Sequence, residues 1–254
     1  MDFESVLPEG QAMQNYHSPT HPTSAGMVEM RKAAAVDSLE LELQRQFVQS
    51  QCQALARRHP AEQIFLVHAL AEFHAEAVVL AKEGLWDRAT AQLDALDRMT
   101  LPDDAELRAV VESTGLPARA LLNWLQGDGE LAITQLEHAL GHCRTLAEVH
   151  GHAHLGARRI HLAANRARVL VAMGRIDEGL QAVAALEAVL DGDAGCWPHG
   201  GGDSLGLPLS GPARFGLGQQ LARIAALAGR GDAKVEGARA PPAGATASIC
   251  WHGP

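Results

Sequence analysis

The chain has 254 residues, 47% of them hydrophobic but only 4% aromatic, and a formal net charge of −9. That acidic balance argues against a general phosphate-binding surface, which needs clustered Lys and Arg to release counterions, so nucleic acid is not an expected partner. A core this poor in aromatics has to be built from Ala, Leu and Val, which favours closely packed helices over sheets.

Met1-Asp2-Phe3-Glu4 lacks the basic and apolar regions of a secretory signal. No uncharged apolar run comes near the roughly 20 residues that cross a bilayer. A cytoplasmic protein without membrane contact is expected, with the nucleus as the other compartment. Cys52, Cys143, Cys196 and Cys250 are widely spaced. They form neither a disulfide framework nor a zinc-finger pattern and are expected to be reduced thiols.

Residues 1–26 carry Pro8, Pro19 and Pro22 among small polar residues and are expected to be a flexible arm. From Met27 to Arg58 Gly and Pro disappear, and Val36, Leu39, Leu43, Phe47 and Leu55 recur at helical spacing, predicting a long helix that stops before Pro60. Glu62 to Glu83 is helix-compatible, Gly84 is placed to end the helix, and Trp86 to Met99 resumes with Ala89, Leu93 and Leu96 on one side. Pro102 to Glu106 has the form of a helix start, Asp103 capping with Glu106 three residues on, and a short extra helix is expected there. The hairpin plan returns in Pro117 to Gln126, the turn Gly127-Asp128-Gly129, and Glu130 to Val149 with Ala132, Leu136 and Ala139. It returns again in Leu155 to Met173, Gly174, and Ile176 to Leu190 with Gly179, Val183 and Leu186. The turn glycines lie 43 and then 47 residues apart, inside the period range of helical repeat arrays. Residues 27–190 are therefore one repeat domain: a long N-terminal helix and three hairpins. Residues 191–212, dense in Gly and Pro, follow as a loop, 213–229 as a terminal helix, and 230–254 as a disordered tail.

The small residues Ala77, Ala120 and Ala167, each seven before its turn Gly, and the Ala-x3-large pattern after each turn resemble the tetratricopeptide (TPR) superfamily, in a variant with long helices. Gly179 and Gly129 depart from its usual pattern. The resemblance covers about residues 62–190. It implies an all-α solenoid of antiparallel helix hairpins and a scaffold or adaptor that binds a protein or peptide. In that geometry the first helix of each hairpin lines the groove. Arg158, His161, Asn165 and Arg168, spaced 3, 4 and 3 along one such helix, would then form a partner-binding stripe, with His74 and Trp124 projecting nearby from the other two repeats. A local positive stripe on an acidic chain points to an acidic segment or a chain terminus as the partner.

No Gly-x-Ser-x-Gly elbow, phosphate-binding loop or metalloprotease motif occurs, so no enzyme and no cofactor are expected. The Gly200 to Ser204 run is expected to be linker, and Glu72 and Glu76 with His68 to be a polar helix face. The alternative is a metal- or small-ligand-binding helical protein. His138 and His142 share a helix face one turn apart, and Cys143, His150, His152 and His154 follow, so His138, His142, His150 and His154 are the residues a metal would use if one bound. The oligomeric state is left open.

Overall fold

The computed structural model describes residues 47–99, 103–152, 155–207 and 209–229, and among these there is no strand. The expected arm 1–26, most of the long helix from Met27, and the tail 230–254 lie outside the described residues. A helical segment 47–55 comes first and is called α1. It is followed by α2 (Ala61–Lys82), α3 (Trp86–Asp97), α4 (Ala105–Leu125), α5 (Gly129–Glu148), α6 (Gly156–Ala172), α7 (Ile176–Leu190) and α8 (Gly211–Gly229).

Three short turns join α2 to α3, α4 to α5 and α6 to α7, and all three use the same hydrogen bonds. Gly84, Gly127 and Gly174 have φ of 78°, 94° and 83°, the left-handed region that an L side chain enters at a cost. The N–H of each bonds back three residues, to Ala81, Trp124 and Val171. The next N–H bonds back five, Leu85 to Leu80, Asp128 to Asn123 and Arg175 to Leu170. This paired closure of the last helical carbonyls is the Schellman arrangement. After each turn the same three positions are buried: Ala89, Leu93 and Leu96, then Ala132, Leu136 and Ala139, then Gly179, Val183 and Leu186. Packing follows chain order, with α2 against α3 and α4, α4 against α5, α5 against α6, and α6 and α7 against each other and α8.

Three expectations are corrected. The short helix before Pro117 is not separate: α4 runs unbroken for 21 residues with Pro117 inside it. Its cap is Asp104, not Asp103, and Oδ1 of Asp104 accepts from the N–H groups of Glu106 and Leu107. Residues 191–212 are not a bare loop, because two 3₁₀ turns (Ala194–Cys196 and Gly202–Leu205) fold Trp197 and Leu205 into the core. Arg159 holds this cap through Gly200 O at 2.7 Å, Gly201 O at 3.1 Å and Ser204 Oγ at 2.8 Å, and lies over the Trp197 ring. α2 is also long and apolar enough to cross a membrane by length and composition, although Glu62, Glu72, Glu76 and Lys82 interrupt its apolar residues. Its apolar residues lie on all sides: Val67, Leu70, Ala71, Ala77 and Val78 are buried against neighbours while Phe65, Phe73 and Val79 are exposed.

Candidate functional site

The four stripe residues do not line a groove. Arg158, Asn165 and Arg168 are buried and His161 is half-buried; α8 packs on α6 and meets His161 and Asn165, and Phe47 of α1 meets Arg158. Asn165 Nδ2 donates to His161 Nε2 at 3.1 Å, and Gln220 Nε2 of α8 donates to Asn165 Oδ1 at 2.9 Å. His161 Nε2 is thus an acceptor, which leaves its Nδ1–H to donate to Gln220 Oε1 at 3.1 Å. The three side chains close a ring in which each gives and takes, the satisfied state a buried polar group requires. Arg158 lies over the Phe47 ring of α1, and burial pulls its guanidinium down to about 10.

His74 is also interior. Thr114 Oγ1 donates its hydrogen to Val111 O at 2.8 Å, so His74 Nδ1, 3.1 Å away, must donate to Thr114. Gly115 lies under the ring, where a Cβ would come within 2.9 Å of it. Burial first, then the charge of Arg119, lowers the His74 imidazole to about 4, with Asp97 opposing weakly. Trp124 is half-buried at the end of α4.

The histidine run is divided among different surroundings. His138 is exposed and His142 half-buried on α5, while Cys143 faces the core with its thiol raised by burial to about 11. His154 lies outside the described residues. His150 and His152, in the turn between α5 and α6, reach a different place: the carboxylate of Glu106 at the start of α4.

Glu106 is the centre of the most concentrated polar cluster among the described residues. Its carboxylate is buried, 6% exposed. His152 Nε2 is 2.5 Å from Oε1 and His59 Nε2 is 2.8 Å from Oε2, with His150 Nδ1 at 4.0 Å from the same oxygen. Arg58 donates to Oε1 as well. Gln51 of α1 meets the other nitrogen of His152, Nδ1, at 2.5 Å. Burial alone would push the Glu106 carboxyl up, but hydrogen bonds from His59, His152 and Arg58 outweigh it and hold the group below its ordinary value. Asp104, the α4 cap, completes the cluster: His59, Asp104 and Glu106 each place a ligand atom within 4.8 Å of the others.

The contributing segments are the α1–α2 connection, the start of α4 and the α5–α6 connection. Each precedes or opens the first helix of a hairpin, at the opposite ends of the helices from Gly84, Gly127 and Gly174. Glu106 was expected only to support a helix cap, and His59, Arg58 and Gln51 carried no signal, because they meet Glu106 and His152 across 47, 48 and 101 residues of chain.

No family model matches this chain, and no curated protein or solved structure is similar to it.

Proposed function

We propose that this chain is a TPR-like α-solenoid that serves as a cytoplasmic protein-binding scaffold. The observation that carries the reading is the recurrence of one turn geometry at Gly84, Gly127 and Gly174, each followed by the same three buried positions. Units that repeat in both hydrogen bonding and packing stack their hairpins into an extended surface, and such surfaces serve as docking platforms.

With Arg158, Asn165 and Arg168 buried, the docking surface has to be sought elsewhere, and the partner need not be acidic. The outer face of α2 suits the role best. Phe65 is 74% exposed and Phe73 46%, aromatic side chains of the kind that anchor interfaces when a partner covers them. Glu62, Glu72, Glu76 and Glu83 are exposed on the same helix and its end. The matching partner is an amphipathic segment with an apolar stripe flanked by Lys or Arg, laid against α2.

The test compares the full chain with the Phe65→Glu, Phe73→Glu variant as bait in lysate of the source organism. A protein retained by the full chain and lost more than tenfold by an equally helical variant supports the reading. Equal retention by both removes α2 as the surface. Adsorption of the full chain to lipid vesicles, lost in the variant, makes α2 a membrane-contact helix instead.

A further inference from the structure

A buried carboxylate needs one compensating charge, and Arg58 supplies it to Glu106. Three imidazoles converging on the same carboxylate exceed that need. His59 Nε2, His150 Nδ1 and His152 Nε2 lie 2.8, 4.0 and 2.5 Å from its oxygens. Three nitrogen donors and one carboxylate oxygen, drawn from three separate segments, are the ligand chemistry of zinc and the neighbouring divalent ions. We infer that His59, His150, His152 and Glu106 form a binding site for a divalent transition-metal ion of the zinc class.

The distances allow it. Zinc–nitrogen and zinc–oxygen bonds of about 2.0–2.1 Å put tetrahedral ligands about 3.4 Å apart. The separations of the histidine nitrogens from Glu106 fall on both sides of that value, and since only His59, Asp104 and Glu106 already place ligand atoms within 4.8 Å of one another, His150 and His152 have to swing inward to complete the set.

The charge count agrees. Glu106 and Asp104 together carry two negative charges, of which Arg58 offsets one, whereas a divalent ion would balance both. The Arg58 side chain is 44% exposed, so it can turn to solvent and leave the carboxylate to the metal without unpacking the core. Asp104 keeps Oδ1 on the N–H groups of Glu106 and Leu107 and leaves its charge beside the four-ligand set. Because the ligands come from the connections before α2, α4 and α6, the ion would tie the starts of all three hairpins together at one end of the array.

The experiment uses the full chain, stripped with chelator and titrated with zinc by calorimetry and with cobalt by visible absorption. One equivalent of zinc is expected, with four-coordinate cobalt bands and a melting temperature raised by about 5–10 °C at a hundredfold excess over Kd. His59→Ala and the partly exposed His150→Ala each lower affinity by tenfold or more while the helical circular dichroism is unchanged. Glu106→Gln does the same if it folds, and the two histidine variants decide the matter if it does not. His138→Ala with His142→Ala leaves binding intact. Absence of a stoichiometric equivalent, loss of it in the His138, His142 variant, or its retention in both His59→Ala and His150→Ala overturns the inference.

Discussion

Arg158 donates from Nη2 to the backbone oxygen of Ser113 at 2.9 Å, and Ser113 is the residue whose helical hydrogen bond Pro117 removes. In an α-helix the N–H of residue 117 would bond the carbonyl of 113, and proline has no N–H to give. A guanidinium from α6 takes its place inside the core. This explains both how α4 continues through a proline and why an arginine on the expected binding stripe is buried.

The pairing predicts a non-additive response. Arg158→Met leaves a buried carbonyl unsatisfied and is expected to cost about 1–3 kcal/mol. In a Pro117→Ala background the new N–H reaches Ser113, and the same replacement should cost at least about 1 kcal/mol less. Urea unfolding of the four proteins measures the difference, and additive costs would show that Ser113 is satisfied by other means.

His74 predicts acid sensitivity. Its folded value of about 4 lies below the 6.5 of an unperturbed imidazole, so a proton costs the folded chain more than the unfolded one. The associated stability is complete above about pH 6.5 and drains away as the pH falls toward 4, by on the order of 3 kcal/mol. Glu106, also held low, acts with the same sign at more acid pH. His74→Gln keeps a donor for Thr114 but cannot take a charge, so its unfolding midpoint in urea should fall less between pH 7 and pH 5 than that of the parent. Parallel curves would place the acid sensitivity in other groups.

Arg159 predicts a separable cap. Its three hydrogen bonds to residues 200–204 use the planar fork of a guanidinium, which an ammonium cannot reproduce. Arg159→Lys should raise amide hydrogen exchange across 194–205 by about tenfold or more while leaving α2 to α5 protected, since each lost bond is worth about 1 kcal/mol. Unchanged exchange in the cap would mean that burial of Trp197 and Leu205 is sufficient to hold it.

The turns predict three equal penalties. A Cβ on Gly84 or Gly127 meets nothing within 4 Å, so alanine there pays only for the left-handed backbone, about 1–2 kcal/mol. Gly174 has the same bonding and should pay the same. Chemical denaturation of the three single variants tests whether the hairpins are equivalent, and a spread of several kcal/mol would show that they are not.

What could be read from the sequence was local. The turn glycines announce themselves because a left-handed cap needs a residue type, and the buried positions after each turn follow from helical spacing alone. Surfaces were not legible in the same way. The face of α6 carrying Arg158, His161 and Asn165 has the polarity of a solvated stripe, yet Phe47 from one side and Gln220 from the other turn it inward. The Glu106 cluster was invisible for the same reason: its members are remote in sequence, and a glutamate at a helix start looks like a capping residue until its side chain is seen. Pro117 misled more directly, since a proline ends most helices unless something else answers the carbonyl it abandons.

The unbroken run of α4 also decides how the protein can come apart. A stack of independent hairpins has seams, and heat or force can peel it one unit at a time. Here the 21 residues of α4 close against α2 behind them and α5 ahead of them, so the face joining the first two hairpins runs along one unbroken rod. Removing the first hairpin would strip the α2-facing side of that rod bare, so the array should melt through it as one cooperative block.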